Sequence, residues 1–242
     1  MRVAIVTGSS RGLGAALSEE LLTHGFHVLG LARTAPSGQL RGGLRFVRCD
    51  FADTGAIAAV ARPEFEAIVD AKPAAVCLIN NAATIDGVGV MGALEPSMIA
   101  SSLAVNLVAP TLLSNLFCAV FRDEAVERRI VNVSSGAAQS TLAGESLYCV
   151  AKAGLEMLTR SLADENASNR LDAISVRPGI IDTAMQTFAR SRSQTALPSV
   201  GLFKGFHERG ELVPPDVVAR KIVARLVLAP VESGRTYTYA EL

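Results

Sequence analysis

Three residues, Ser135, Tyr148 and Lys152, have the types and the spacing needed to move a proton to or from an oxygen atom. Tyr148 and Lys152 are four residues apart, so on a helix their side chains project from one face. A tyrosine has a pKa near ~10, and a neighbouring ammonium group lowers that pKa because it favours the phenolate. Ser135 could donate a hydrogen bond to a reacting oxygen and stabilise negative charge that develops there.

A glycine-rich turn near the amino terminus could hold a phosphate-bearing cofactor. Residues 7–14 read Thr-Gly-Ser-Ser-Arg-Gly-Leu-Gly, and no Gly-Lys-Ser/Thr follows, which excludes a Walker-type loop. Glycines allow backbone N–H groups to approach a pyrophosphate at the positive end of a helix. We therefore predict that a dinucleotide is bound by the turn residues Gly8, Ser10, Arg11, Gly12, Leu13 and Gly14.

The elements that must position these residues alternate along the chain. Short apolar runs predict strands over residues 3–7, 28–32, 44–49, 75–80, 129–134, 172–177 and 235–239. Helical periodicity predicts helices over residues 13–24, 54–70, 96–121, 146–166 and 215–228. The repetition of strand, helix and strand predicts an α/β fold class, with a single Rossmann domain over residues 1–242. Its sheet would be doubly wound, parallel and seven-stranded, with helices on both faces.

Several motifs resemble those of the short-chain dehydrogenase/reductase superfamily. The turn matches its Thr-Gly-x-x-x-Gly-x-Gly pattern, and residues 80–83 (Asn-Asn-Ala-Ala) resemble its Asn-Asn-Ala-Gly. The spacing of Ser135, Tyr148 and Lys152 is its Ser-x12-Tyr-x3-Lys pattern, and residues 177–183 match its motif after the sixth strand. The matches cover most of the chain in the expected order.

The resemblance implies a role for each matched residue. Tyr148 would be the acid in reduction and the base in oxidation, and Lys152 would lower its pKa and bind the nicotinamide ribose. Asn106 would hold a water molecule that relays protons through Lys152, and Asp50 would contact the adenine. The further cofactor contacts implied are Asn80, Ala82, Tyr148, Lys152, Pro178, Gly179, Ile181 and Thr183.

Residues near the second predicted strand favour NADP(H) over NAD(H). An acid at the end of that strand would bind the adenosine ribose and repel a 2′-phosphate, but the position is Ala32, followed by Arg33. Arg11 lies inside the glycine turn. Two guanidinium groups can hold a phosphate dianion through bidentate hydrogen bonds, and the family pattern also links basic residues at these places with NADP(H). No metal-ligand pattern is present.

The carboxyl-terminal third is expected to shape a substrate site. Residues 179–213 follow the sixth strand and are predicted to be irregular, at a place where a substrate-binding lid would lie; a plain surface connection is the alternative. Residues 177–186 resemble the sepiapterin reductase and benzil reductase branch. Thr238 stands where sepiapterin reductases carry a carboxylate that holds the pterin, which favours a small apolar ketone or diketone. Candidate lining residues, for which ordinary packing is equally open, are Glu145, Met185, Phe188 and Phe203.

Composition narrows the range of partners and compartments. The 242 residues carry 23 basic and 23 acidic side chains, so no broad field favours nucleic acid or an anionic membrane. Four cysteines without paired spacing indicate reduced thiols, and we expect a soluble, cytoplasmic protein. The helices over residues 96–121 and 146–166 are apolar around much of their circumference, and relatives pair through them, which predicts a homodimer or homotetramer.

The leading hypothesis is an NADPH-dependent carbonyl reductase that transfers hydride to a small apolar ketone or diketone, with Tyr148 as proton donor. A second hypothesis is an NADP-linked alcohol dehydrogenase that oxidises a hydroxysteroid, sugar or 3-hydroxyacyl substrate. A third, of another class, is a non-catalytic regulator that senses NADP(H). The complete set of Ser135, Tyr148 and Lys152 argues against the regulator, because sensing requires no acid beside the nicotinamide.

Overall fold

The computed structural model describes residues 1–37 and 41–242. Seven parallel strands form one sheet in the order β3-β2-β1-β4-β5-β6-β7. The strands are β1 (Arg2–Thr7), β2 (Phe26–Ala32), β3 (Leu44–Arg48), β4 (Ala75–Asn80), β5 (Glu127–Val133), β6 (Leu171–Arg177) and β7 (Thr236–Thr238). Each predicted strand is found, with ends that differ from the prediction by at most two residues. The predicted single-domain Rossmann fold is confirmed.

Eight helices in the described chain connect these strands. They are α1 (Gly12–Thr23), α2 (Ile57–Asp70), α3 (Pro96–Leu103), α4 (Ala109–Val120), α5 (Ser146–Glu165), α6 (Ala184–Arg190), α7 (Val200–Glu208) and α8 (Pro215–Ile222). Successive residues of a strand point to opposite faces of the sheet. In β1, Val3 and Ile5 therefore join the core under α2 and α4, whereas Ala4 and Val6 join the core under α1 and α8. Helices on both faces explain why the strands are apolar almost throughout.

A hydrogen-bonded link joins the central strands where the strand order reverses. The Thr7 hydroxyl accepts hydrogen bonds from the backbone N–H groups of Asn81 and Ala82, each at 2.9 Å. The Asn81 side chain donates to the Thr7 carbonyl, also at 2.9 Å. In open α/β sheets the crevice at such a reversal, outside the carboxyl ends of the strands, is the usual ligand site. The link therefore holds the two walls of that crevice together.

The predicted helix over residues 96–121 is interrupted by a wider turn. A π-helical segment, Ala104–Val108, separates α3 from α4. Pro110 has no backbone N–H to donate to the Asn106 carbonyl four residues earlier, which accounts for the widening. The stretch Pro96–Val120 is long and apolar enough by composition to cross a membrane, with a mean hydropathy of 1.8 over an 18-residue window within it. Leu113 and Phe117 are fully buried in the sheet's core, so we interpret this apolar character as packing.

The segment over residues 179–213 is more ordered than predicted, because it contains α6 and α7. These helices have seven and nine residues, too short for a clear periodic signal. Leu197 and Val200 are buried, and they pack in a cluster with Ile85 from the segment after β4. Tertiary packing, rather than local propensity, therefore stabilises the two helices.

Candidate active site

Helix α5 places Tyr148 and Lys152 on one face beside the end of β5. Lys152 is buried, and its Nζ donates a hydrogen bond of 2.7 Å to the Val133 carbonyl, the last of that strand. The same Nζ lies 5.4 Å from the centre of the Tyr148 ring. Ser135, two residues beyond the strand, lines the same cavity as both. The structure thus brings together the three residues that the spacing singled out.

A buried ion pair anchors α5 to the neighbouring strands. Arg177, which ends β6, donates two hydrogen bonds to the carboxylate of Glu156, at 2.8 and 2.6 Å. The Ser134 hydroxyl donates a third, of 2.7 Å, to the same carboxylate. Glu156 follows Lys152 by one helical turn, so these contacts determine where the lysine lies along β5. The Ser134 hydroxyl therefore helps to position α5.

Asn106 is held outside the cavity by the segment after β4. Its side-chain oxygen accepts from the Thr84 N–H at 2.9 Å, and its side-chain nitrogen donates to the Thr84 carbonyl at 2.8 Å. The residue is buried and lies in the π-helical turn, a feature frequent at functional sites. Its side-chain amide is therefore engaged in structure, and the water-holding role implied for Asn106 remains a prediction.

Burial in the protein shifts the pKa values of both Tyr148 and Lys152. Burial raises the pKa of Tyr148 above its ordinary value, and the nearby Glu145 acts in the same direction. Burial lowers the pKa of Lys152 to about 8. The physical reason is that desolvation disfavours both charged forms. The lowering of the Tyr148 pKa by Lys152 and a bound nicotinamide remains a prediction.

A cavity of about 660 Å³ extends from the glycine turn to Tyr148. Of the predicted site residues, the following line it: Gly8, Ser10, Arg11, Gly12, Leu13, Gly14, Arg33, Asp50, Ala82, Ser135, Tyr148, Lys152, Pro178, Gly179, Ile181 and Thr183. The four candidates for the substrate end also line it, namely Glu145, Met185, Phe188 and Phe203. Asn106 and Asn80 do not. The Asn80 side chain points into the protein, where it donates to Asn132 at 2.8 Å and to Ser114 at 3.1 Å.

The glycine turn fits a dinucleotide pyrophosphate. A Cβ atom on Gly14 would lie 2.2 Å from the Gly8 carbonyl oxygen, so only glycine permits this approach of α1 to the turn. Gly12 has a φ of +57° at the start of α1, a conformation that L side chains rarely adopt. The amino end of α1 therefore opens directly onto the cavity, as phosphate binding at a helix end requires.

The end of the cavity that is predicted to bind the adenosine, called the adenosine end below, carries the two predicted arginines. Arg11 and Arg33 are exposed, and neither side chain is hydrogen-bonded to a residue within 1–37 or 41–242. Asp50 is also exposed, and its carboxylate accepts a hydrogen bond of 3.0 Å from the Ala52 N–H, which stabilises the turn after β3. Its position in the cavity keeps open the predicted contact with adenine.

Sequence reasoning missed several residues of the cavity wall. Asn81, next to the predicted Asn80, faces the cavity and links β4 to β1. Thr84, Ile85 and Asp86 follow in the same segment and also line the cavity. Strand alternation could have indicated that Asn80 and Asn81 point in different directions. The lining by residues 84–86 depends on how the segment folds across α3 and could not be read from periodicity.

Comparison with known proteins gives a consistent assignment. A family model described as short chain dehydrogenase matches residues 2–194. Benzil reductase ((S)-benzoin forming) of Bacillus subtilis is 32% identical, with 100% of this chain and 99% of that protein covered. Sepiapterin reductase of Meriones unguiculatus is 33% identical over 96% of this chain and 94% of its own length. The crystal structure of the KRED1-Pglu enzyme superposes with a TM-score of 0.84 at 27% identity, covering 98% of this chain and 100% of that one.

We predict that Lys152→Met increases stability at neutral pH although it removes a catalytic candidate. The folded-state pKa of about 8 lies below the ordinary 10.5, so the free energy of unfolding rises as pH increases through that window. Removing the buried ammonium should raise the free energy of unfolding at pH 7 by about 1–3 kcal/mol, a net value that includes the loss of the hydrogen bond to Val133. Urea unfolding at pH 7 and 9.5 would measure this, and the gain should shrink at the higher pH.

The exposed Lys204→Met serves as the control, since surface substitutions change stability by within about 0.5 kcal/mol. A Lys152→Met protein less stable than the unsubstituted chain at pH 7 would show that the bond to Val133 outweighs the desolvation of the ammonium.

Proposed function

The chain belongs to the short chain dehydrogenase family of oxidoreductases, which act on carbonyl or alcohol groups with nicotinamide cofactors, and on that premise we propose that it is an NADPH-dependent carbonyl reductase. The observation that carries the proposal is a single cavity with the glycine turn at one end and Ser135, Tyr148 and Lys152 at the other. The reaction is reduction of a small apolar ketone or diketone to an alcohol.

Each residue at the substrate end has a distinct task. A bound nicotinamide supplies the hydride. Ser135 donates a hydrogen bond to the substrate oxygen and stabilises the charge that develops on it. Tyr148, whose raised pKa keeps it protonated, donates its phenolic proton to that oxygen. Lys152 holds positive charge beside the ring and so stabilises the phenolate that remains.

The preference for NADPH rests on charge at the adenosine end. Arg11 and Arg33 line the cavity together, and Ala32 occupies the place where an acid would select NAD(H). Two guanidinium groups and no facing acid at that position favour a 2′-phosphate. This argument concerns local charge, since the whole chain has a net charge of zero.

The substrate end is lined mainly by apolar side chains. Ile85, Met185, Phe188 and Phe203 belong to a cluster that also contacts the Tyr148 side chain. Residues 179–213, which supply α6 and α7, would act as the lid that keeps water from the reacting carbon. The named activity of the benzil reductase relative, an apolar diketone reduction, supports the same substrate class.

We further propose that the protein is cytoplasmic and that it forms a homodimer or homotetramer. Val150 and Met157 on α5 are more than half exposed, at 57% and 55%, and Val108 before α4 is 39% exposed. Exposed apolar side chains on neighbouring helices are typical of a protein–protein interface.

The proposed assembly predicts that Val150→Glu combined with Met157→Glu produces monomers, because two carboxylates cannot be buried without partners. Analytical ultracentrifugation would measure the change in mass. Leu202→Glu, on α7 and 43% exposed, is the matched control and should leave the mass unchanged. A wild-type chain that already sediments as a monomer contradicts the assembly.

The proposed activity predicts NADPH oxidation in the presence of benzil and related diketones. Tyr148→Phe should lower kcat by at least about a hundredfold, the usual scale of general acid catalysis, and leave NADPH affinity within about twofold. Absorbance at the nicotinamide band and a fluorescence titration give the two quantities. Tight NADPH binding without turnover on any carbonyl would indicate the sensing regulator, and turnover only with alcohols would indicate the dehydrogenase.

The proposed cofactor predicts that Arg33→Ala weakens NADPH binding by about ten- to a hundredfold, the range for a charge-assisted hydrogen bond to phosphate. NADH binding should change by less than about twofold. Arg48→Ala is the matched control, because Arg48 pairs with Ala32 across β2 and β3, is exposed, and does not line the cavity. Equal losses for both cofactors would show that Arg33 supports the fold instead.

A further inference from the structure

Glu145 is a buried acid at the substrate end whose side chain makes no hydrogen bond to the residues that the structure describes. Its residue is only 3% exposed, and it lines the cavity three residues before Tyr148. Its Oε1 atom is buried and has no hydrogen-bond partner within the described chain. Buried polar atoms are hydrogen-bonded in the great majority of cases, so this orphaned oxygen requires a reason.

Helix capping is the obvious structural role for this side chain, and the structure excludes it. Glu145 is the residue that precedes α5, where an acidic side chain commonly accepts hydrogen bonds from the first N–H groups of a helix. The Glu145 side chain makes no such bond; only its backbone carbonyl takes part, accepting from the Cys149 N–H at 2.9 Å. The carboxyl group is therefore available to the cavity.

Ion pairing does not account for the acid either. Burial alone raises the pKa of Glu145 to about 7, with no contribution from a nearby cation. The buried ammonium of Lys152 is bonded to Val133, and the two arginines that line the cavity belong to the glycine turn and the adenosine end. A buried carboxyl group without a partner costs free energy, which a hydrogen-bond donor on a ligand would offset.

The position of Glu145 relative to Tyr148 determines where the hydrogen-bond donor of a ligand lies. Glu145 and Tyr148 line the same cavity, and the Glu145 charge acts on the Tyr148 phenol, so the two side chains lie close together. A ligand group bonded to Glu145 therefore lies near the oxygen that Tyr148 protonates, and a hydroxyl or amino group on the carbon next to the carbonyl meets this condition. A ketone with only hydrocarbon at that carbon leaves Oε1 without a partner.

We propose that Glu145 is a specificity-determining residue that accepts a hydrogen bond from a hydroxyl or amino group carried by the substrate next to its reducible carbonyl. This inference rests on the proposed carbonyl reductase function and refines its substrate class. The favoured substrates are α-hydroxy and α-amino ketones, set in an otherwise apolar molecule. Their products are vicinal diols and amino alcohols.

Three ketones of one skeleton test the proposal: propiophenone, α-hydroxyacetophenone and α-aminoacetophenone. They differ only in whether the group next to the carbonyl carbon ends in methyl, hydroxyl or amine. For the wild type and each variant, kcat/KM with NADPH is measured for all three ketones. The hydroxyl ratio and the amine ratio are the values for the hydroxyl and amino ketones, each divided by the value for propiophenone. Comparing each ratio between the wild type and a variant cancels the intrinsic reactivity of the ketones.

We expect Glu145→Leu to lower the hydroxyl or amine ratio by about tenfold or more, mainly through KM, and to leave propiophenone as good a substrate or a better one. Glu145→Gln keeps an acceptor oxygen, so it should retain most of the hydroxyl ratio. A loss of only the amine ratio in that variant would identify a cationic donor. Glu95→Leu is the matched control, because Glu95 also directly precedes a helix but is exposed and does not line the cavity, and its ratios should change by less than about twofold.

The outcomes separate the two proposals. If the wild-type protein reduces none of these ketones and no diketone, the carbonyl reductase function fails, and the role of Glu145 fails with it. If the wild type reduces them and both ratios survive Glu145→Leu, only the role of Glu145 is overturned. NADPH affinity and the urea midpoint of each variant confirm folding, and removal of an unpaired buried carboxyl should not lower that midpoint.

Discussion

The burial of the Lys152 ammonium group is the constraint on which the site depends. A charged amine in a nearly dry environment is tolerated only if a polar atom faces it, and the Val133 carbonyl at the end of β5 provides that atom. This hydrogen bond fixes the position of helix α5 along β5. The Glu156–Arg177 ion pair and the hydrogen bond from Ser134 to Glu156, one helical turn after Lys152, hold the helix at the same position. Tyr148 is placed as a consequence.

The sheet supplies the other half of the arrangement, because parallel strands end at one common edge. Thr7 at the end of β1 binds the backbone just after β4, so the glycine turn and the segment over residues 81–86 form two walls of one crevice. Residues far apart in sequence, from Gly8 to Thr183, line a single cavity for this reason.

The charged and titratable groups of the cavity are exposed to solvent at one end and buried at the other. At the adenosine end, Arg11 and Arg33 are exposed and can pair with a phosphate without losing hydration beforehand. At the substrate end, burial disfavours the charged forms of Tyr148, Lys152 and Glu145 alike. The charge state of these groups is therefore more sensitive to a ligand that binds beside them, and this property suits the roles proposed for Tyr148 and Glu145.

The sequence by itself determined the fold class, the seven strands within two residues at each end, and the grouping of Ser135, Tyr148 and Lys152. The strands depend on local periodicity, and the placing of Tyr148 and Lys152 on one face depends on spacing within one helix, both of which neighbouring residues dictate. The place of Ser135 followed from the resemblance to the family's spacing. Only the tertiary structure decided that Asn80 points inward and that α6 and α7 form between residues 179 and 213. It also decided that the Glu145 Oε1 atom is buried without a hydrogen-bond partner among the described residues. The direction of the Tyr148 pKa shift belongs with these, because desolvation depends on everything packed around a group.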